Sequence, residues 1–299
     1  MALLGPAAAF LHVLIALCPP SGGAAPVLQT PFVTLLIPAY NETARLGTTL
    51  GQVLDYLNAQ PYASEVLVVD DGSTDGTAQL ATQYFASHAG RVATRVLSYQ
   101  PNRGKGYAVR QGLLAARGTV AVFSDADLST PIEELPNLLA PIVAGSHDVV
   151  FGSRALDPRL IGVRQPFMRE LSGRFFNFIV RRATGLPYWD TQCGFKAFRL
   201  AVCRPVVEGA VLDRFGFDVE LLYLAHHAGL RLREQPVRWN DATGSTVGVL
   251  SGLDGFRELQ QLRRRARQGH YEQALRLARL AATEATALSS AVTKPPTTS

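Results

Sequence analysis

The chain has 299 residues, 47% hydrophobic and 18% charged, a balance that builds a packed core and excludes a mostly disordered protein. Its formal charge of +5 is mild and local, with arginines gathered at 154–182 and 257–267; this suits an anionic ligand or a membrane surface, and no nucleic-acid partner is expected. Cys18, Cys193 and Cys203 match no zinc spacing and are too few for a disulfide framework, so a reducing compartment is expected.

Residues 1–30 form an apolar leader. Ala2 to Cys18 is apolar except for His12, lacks a basic start and contains Pro6, so it reads as either a short membrane anchor or a disordered lead-in. From Phe32 strands and helices alternate. Val33–Ile37 is a buried-type strand, followed by Leu46, Leu50, Val53, Leu54 and Leu57 at helical spacing. Glu65–Val69 is a second strand, 77–87 a helix, 92–99 a third strand, 106–116 a helix and 119–124 a fourth strand. Thr130, Pro131 and Glu133 then supply a helix start, and 147–151 a fifth strand. This alternation predicts an α/β fold with a parallel sheet and right-handed crossovers. Further on, helices are expected at 167–184, 216–228 and 253–285, and a late strand at 237–239. The domain is bounded at 31–250, followed by a basic amphipathic region at 251–285 and a disordered tail at 286–299.

Polar motifs stand where strands end: Pro38-Ala39-Tyr40-Asn41-Glu42, Asp70-Asp71-Gly72-Ser73, Asp125-Ala126-Asp127 and Gly152-Ser153-Arg154. Open parallel sheets bind ligands at the carboxyl ends of their strands, so these four clusters converge on one rim. Two carboxylates one residue apart at the end of a buried strand repel unless a cation lies between them, which makes Asp125 and Asp127 candidate metal ligands. No dinucleotide fingerprint and no Walker loop is present, which argues against hydride transfer and P-loop chemistry.

Taken with Asn102-Arg103-Gly104-Lys105-Gly106, these motifs resemble glycosyltransferase family 2, the inverting nucleotide-sugar enzymes of GT-A fold, over roughly residues 32–250. The resemblance implies a mainly parallel central sheet flanked by helices. It implies Mg²⁺ or Mn²⁺ on Asp125 and Asp127, with Ser129 a poor further ligand. Pro38, Tyr40, Glu42, Asp70 and Asp71 would cradle the nucleotide, Lys105 the diphosphate, and Gln192 the donor sugar. Trp189–Phe198 and Phe215–Leu222 narrow the resemblance to the branch that moves glucose from UDP-glucose to a polyprenyl (dolichyl-type) phosphate. Arg154 and Arg169 would then hold the acceptor phosphate, since guanidinium suits phosphate geometry. Asp190 or Asp218 would orient glucose hydroxyls, or act as base for a hydroxyl acceptor; Asp218 and Glu220 cannot both face the sugar from one helix. The implied location is the cytoplasmic face of a membrane, peripheral or held by one N-terminal anchor. Transfer of mannose or another sugar, a soluble hydroxyl acceptor, and a non-catalytic nucleotide-sugar binder stay open as alternatives.

Overall fold

The structure, a computed structural model, describes residues 30–88, 90–163, 167–241 and 250–292; the apolar leader expected at 1–30 lies, but for Thr30, outside them. The strands at 33–39, 64–70 and 120–124 are buried on both faces because helices cover both. In β1 (Val33–Ala39), Val33, Leu35 and Ile37 pack with Leu46, Leu50, Val53 and Leu57 of α1 (Thr43–Asn58). Leu36, pointing the other way, packs with Ala108, Val109 and Leu113 of α3 (Lys105–Ala115). The period of two along the strand therefore serves two cores, and the result is an α/β/α sandwich.

The remaining strands are β2 (Ser64–Asp70), β3 (Ala93–Ser98), β4 (Val120–Ser124), β5 (Val149–Ser153), β6 (Ile161–Val163), β7 (Phe195–Arg199), β8 (Leu232–Pro236) and β9 (Trp239–Asn240). Among the described residues the central sheet runs β3-β2-β1-β4-β7-β5-β8. β1 lies between β2 and β4, both parallel to it, so the chain order reverses there and opens a crevice at the carboxyl rim. The sheet is mainly parallel, as expected; among the described strands β7 runs antiparallel to both β4 and β5. Its Phe195 pairs with Ser124, so the segment entering β7 arrives at the same rim as the end of β4.

The other helices are α2 (Thr77–Ser87), α4 (Leu135–Val143), α5 (Phe167–Thr184), α6 (Leu200–Gly209), α7 (Phe217–His227), α8 (Leu250–Arg267) and α9 (Glu272–Val292). The long helical stretch expected at 253–285 consists of these last two helices. The break falls at Gly269, whose φ of +74° ends α8 in a left-handed turn. Helix α9 also runs on through 286–292, where a tail was expected; its Ala-rich sequence favours continuation. The apolar side of α8 faces inward, with Leu259 and Leu262 buried and Phe256 edge-on to Phe176 of α5. The expected strand at 237–239 is the short β9, paired with β6.

Gly112 shows how tightly α3 sits on the sheet, since a Cβ there would stand 2.2 Å from Cδ1 of the fully buried Leu36. Gly112→Ala gains helix propensity yet overpacks the core, so we expect a net loss of about 1–3 kcal/mol in urea unfolding. An unchanged or higher midpoint would show that Leu36 has room to move.

Candidate active site

The rim is assembled from the ends of five strands. Asp70 closes β2 and is buried; its Oδ2 accepts the Ser98 hydroxyl at 2.9 Å, while Oδ1 is buried and accepts no hydrogen bond. A buried carboxylate oxygen without a protein donor is costly unless water or a ligand supplies one. Asp71 is the reverse case. Its Oδ1 accepts the Tyr99 hydroxyl (2.8 Å) and the Arg103 amide (2.9 Å), and its Oδ2 accepts Asn102 Nδ2 (2.8 Å) and the Gly104 amide (2.8 Å). Asp71 therefore anchors the turn carrying Lys105, and Gly72 makes this possible: its φ is +72° and a Cβ would lie 2.6 Å from the Asn102 amide.

Past β1, Pro38 lies in the buried strand and Tyr40 is exposed beside it. Asn41 takes a left-handed φ of 55°, its amide donating to Ser73 Oγ (2.9 Å) and its Oδ1 accepting from the Thr74 amide (2.9 Å). This ties the loops after β1 and β2 together. Glu42 pairs with Arg45. Burial raises the Glu42 pKa, Arg45 pulls it down, and the charges of Asp127 and Asp125 push it up again, which sets Glu42 on the acidic pair.

At the end of β4, Asp125 meets Lys105 Nζ at 2.6 Å. Burial works against the Lys105 ammonium, but Asp125, Asp218 and Asp127 outweigh it and raise its pKa. Asp127 Oδ1 accepts the Ser129 amide at 2.9 Å across Leu128, which has a φ of +47°. Gly194, at the entry to β7, offers its carbonyl to the Asp125 amide (3.1 Å), and a Cβ there would stand 2.0 Å from Asp125 Oδ2. Any larger residue there would push the Asp125 carboxylate from its place. Among the described residues no cluster of three or more His, Cys, Asp or Glu is set to hold a metal. Two carboxylates at a rim fit a hard divalent cation that completes its shell with phosphate oxygens and water, the usual Mg²⁺ arrangement.

Arg154, just past β5, is clamped by Asp190 through Nε (2.7 Å), Nη2 (2.9 Å) and its own amide (3.0 Å). Asp190 Oδ1 also accepts the amide of the half-buried Gln192 at 3.1 Å. Burial opposes the Asp190 charge, but Arg154 prevails and holds its pKa at about 2. Asp190 is thus engaged in holding Arg154. Asp218, in the first turn of α7, pairs with the fully buried Lys196 Nζ at 2.5 Å, and burial raises its pKa against the pull of Lys196 and Lys105. Glu220 turns away to Tyr271. The backbone of Arg169 lies in α5; its side chain is outside the described residues.

Sequence reasoning missed Lys196 and Gly194. Lysine inside Phe-Lys-Ala-Phe looks like the wet side of a strand, but β7 sits between two strands. Its ammonium is satisfied by Asp218, the Cys193 carbonyl (2.6 Å) and the Phe123 ring (5.1 Å). Trp239, 5.6 Å from the Arg154 guanidinium, was read only as strand.

A doubly covered sheet with an acidic pair and a lysine at its switch point is the architecture of the GT-A fold class. A family model described as Glycosyl transferase family 2 matches residues 34–206. The chain is 38% identical over 226 residues to the Dolichyl-phosphate beta-glucosyltransferase of Drosophila melanogaster, covering 72% of this chain and 69% of that one. It is 34% identical over 229 residues to the Homo sapiens protein of the same name, covering 73% and 70%. This chain belongs to glycosyltransferase family 2 and is a glycosyltransferase. The fold is shared with glucosyl-3-phosphoglycerate synthase from Mycobacterium tuberculosis, in complex with Mn²⁺, UDP and phosphoglyceric acid, at a TM-score of 0.57 and 19% identity over 78% of this chain and 77% of that one. It is shared too with the mannosyltransferase PcManGT from Pyrobaculum calidifontis, in complex with GDP-Man and Mn²⁺, at 0.55 and 20% over 97% and 84%.

The depressed pKa of Asp190 makes the Arg154 clamp pH-dependent. Its folded value of about 2 lies below the ordinary 3.8, so the stabilisation is complete above about pH 4 and is lost as pH falls towards 2. Asp190→Asn is expected to cost about 2–3 kcal/mol at pH 7 and to flatten the stability profile across that window, measured by urea unfolding at several pH values. A variant as stable as the parent at pH 7 would show the clamp contributes nothing.

Proposed function

We propose that this chain is an inverting transferase that moves glucose from UDP-glucose to a dolichyl-type polyprenyl phosphate at the cytoplasmic face of a membrane, with Mg²⁺ or Mn²⁺. The observation that carries the acceptor class is the state of the carboxylates. Glu42, Asp71, Asp190 and Asp218 each already have a cation or a set of amides as partner. A sugar hydroxyl needs a general base to become a nucleophile, whereas a phosphate monoester is anionic at neutral pH and needs only to be held. Relatives named Dolichyl-phosphate beta-glucosyltransferase support the same acceptor and sugar.

Asp125 and Asp127 are the residues that would hold the divalent cation, and the chemistry it supplies is neutralisation of charge on the departing nucleoside diphosphate. Asp70 Oδ1 takes a donor from the uracil, Tyr40 packs on the base and Glu42 meets the ribose. Lys105 stands beside Asp125 to meet the diphosphate. Arg154 holds the acceptor phosphate: Asp190 engages Nε and Nη2 and leaves Nη1 out of the pair. Arg169 and Gln192 complete the acceptor and sugar sides of this reading.

A membrane partner is supported by α5. Met168, Leu171, Phe175 and Phe178 recur along one side of that helix and are 49–73% exposed, opposite the buried Phe176 and Val180. Large apolar side chains turned outward in a row are unusual for a surface in water. Arg174, Arg181 and Arg182 flank them, and Arg181 stacks on the exposed Trp189 at 3.9 Å, next to Asp190. No described helix is long and apolar enough to cross a membrane.

The test is turnover of the full chain with Mn²⁺, a panel of nucleotide sugars, and polyprenyl phosphate either in anionic phospholipid vesicles or in detergent. The expected product is lipid-linked glucose from UDP-glucose, abolished by EDTA. Phe175→Ser with Phe178→Ser should lower the vesicle rate about ten-fold while sparing the detergent rate. UDP release without a lipid product would contradict the acceptor, a better donor than UDP-glucose the sugar, and equal rates in both formats the membrane face.

A further inference from the structure

The two C-terminal helices lie beyond the stretch 34–206 that the family model matches, yet they reach into the site through one loop. Residues 210–216 connect α6 to α7. Glu258 of α8, 8% exposed, accepts the amides of Arg214 (3.1 Å) and Gly216 (2.7 Å) on its two carboxylate oxygens. Tyr271, just before α9, donates its buried hydroxyl to Glu220 Oε1 at 2.6 Å. The other oxygen of Glu220 accepts the amides of Val211 (2.9 Å) and Leu212 (2.8 Å). Four amides of a loop with no regular structure are thereby fixed by two buried carboxylates.

The opposite side of the loop is the mould for the lysine turn. The Asp213 carbonyl accepts the Tyr107 amide at 3.0 Å, and its carboxylate takes Arg110 at 2.6 Å. A Cβ at position 104 would stand 2.5 Å from the Asp213 carbonyl oxygen, and one at position 106 would stand 2.6 Å from that of Leu212. Glycines on both sides of Lys105 thus let the turn lie flat on the loop. The loop then leads into the first turn of α7, which carries Asp218, a second carboxylate acting on Lys105.

We propose that Glu258 and Tyr271 are positioning residues for Lys105: they fix loop 210–216, against which Gly104–Tyr107 is set, and so aim the ammonium at the donor diphosphate. This rests on the reading that Lys105 meets that diphosphate. Glutamine at 258 would offer one oxygen to two amides and oppose the other with its own N–H groups, so Glu258→Gln loosens the loop while keeping the side-chain shape.

The experiment is calorimetric titration of the full chain with UDP in the presence of Mn²⁺, for the parent, Lys105→Met, Glu258→Gln and the double variant, with Tyr271→Phe beside them. Glu258→Gln and Lys105→Met are each expected to weaken UDP binding about ten-fold, and the double variant no more than about two-fold beyond Lys105→Met, because one acts through the other. Tyr271→Phe should weaken binding in the same direction by a smaller factor, and it carries the test if Glu258→Gln does not fold. A purely structural role would lower stability and leave UDP affinity alone. If Lys105→Met weakens UDP binding while Glu258→Gln and Tyr271→Phe match the parent, or if the two losses multiply in full, the proposal falls and the reading of Lys105 stands. If Lys105→Met binds UDP like the parent, both fall.

Discussion

The site depends on an alternation of charge at the carboxyl rim: Asp125 against Lys105, Lys105 beside Asp218, Asp218 against Lys196. Carboxylates at the ends of buried strands are costly unless cations or amides compensate them. Each compensating group arrives on a different element. The first turn of α3 brings Lys105, β7 brings Lys196, and the first turn of α7 brings Asp218. The antiparallel strand is thus more than a topological irregularity. Running against its neighbours, β7 delivers its entry segment to the rim, with Gly194 against Asp125 and Asp190 against Arg154.

Much of this was legible in the sequence. The apolar runs of β1, β2 and β4 announce strands covered on both faces, and the acidic or polar residues closing several of them at one end announce a ligand rim. The partners were not legible. Asp190 and Arg154 are 36 residues apart, and an aspartate in a Trp-Asp-Thr-Gln turn looks as free to act as a base as to hold an arginine. Strands β7 and β8 are hard to read because a lysine interrupts Phe-Lys-Ala-Phe-Arg and Leu-Arg-Glu-Gln-Pro is mostly polar. What makes them strands is the partners waiting for them, β4 and β5 for β7 and β5 for β8, a tertiary effect that periodicity does not contain. The break between α8 and α9 was signalled by Gly269, but the flanking basic helical pattern reads through it.

The arrangement divides labour between two sides of one crevice. On the side of β1 and β2, an orphan buried oxygen on Asp70 and an anchored lysine turn suit a nucleotide. On the side of β5 and β7, an arginine held by a carboxylate sits near an exposed aromatic and a helix whose outer face is apolar. Carboxylates already paired make poor bases, and an acceptor that brings its own negative charge requires none. The same ion pairs that make the rim stable therefore narrow the chemistry it can perform. The C-terminal helices belong to this machinery, since their inward faces brace the loop beneath the lysine turn.

The most direct test is a crystal structure of the full chain with Mn²⁺ and UDP, read by anomalous scattering at the manganese edge. The account predicts one anomalous peak bound by Asp125 and Asp127 and shared with the diphosphate, with the Lys105 ammonium on a phosphate oxygen and the uracil donating to Asp70 Oδ1. A nucleotide bound away from the β1–β4 crevice, or manganese held by neither aspartate, would contradict it.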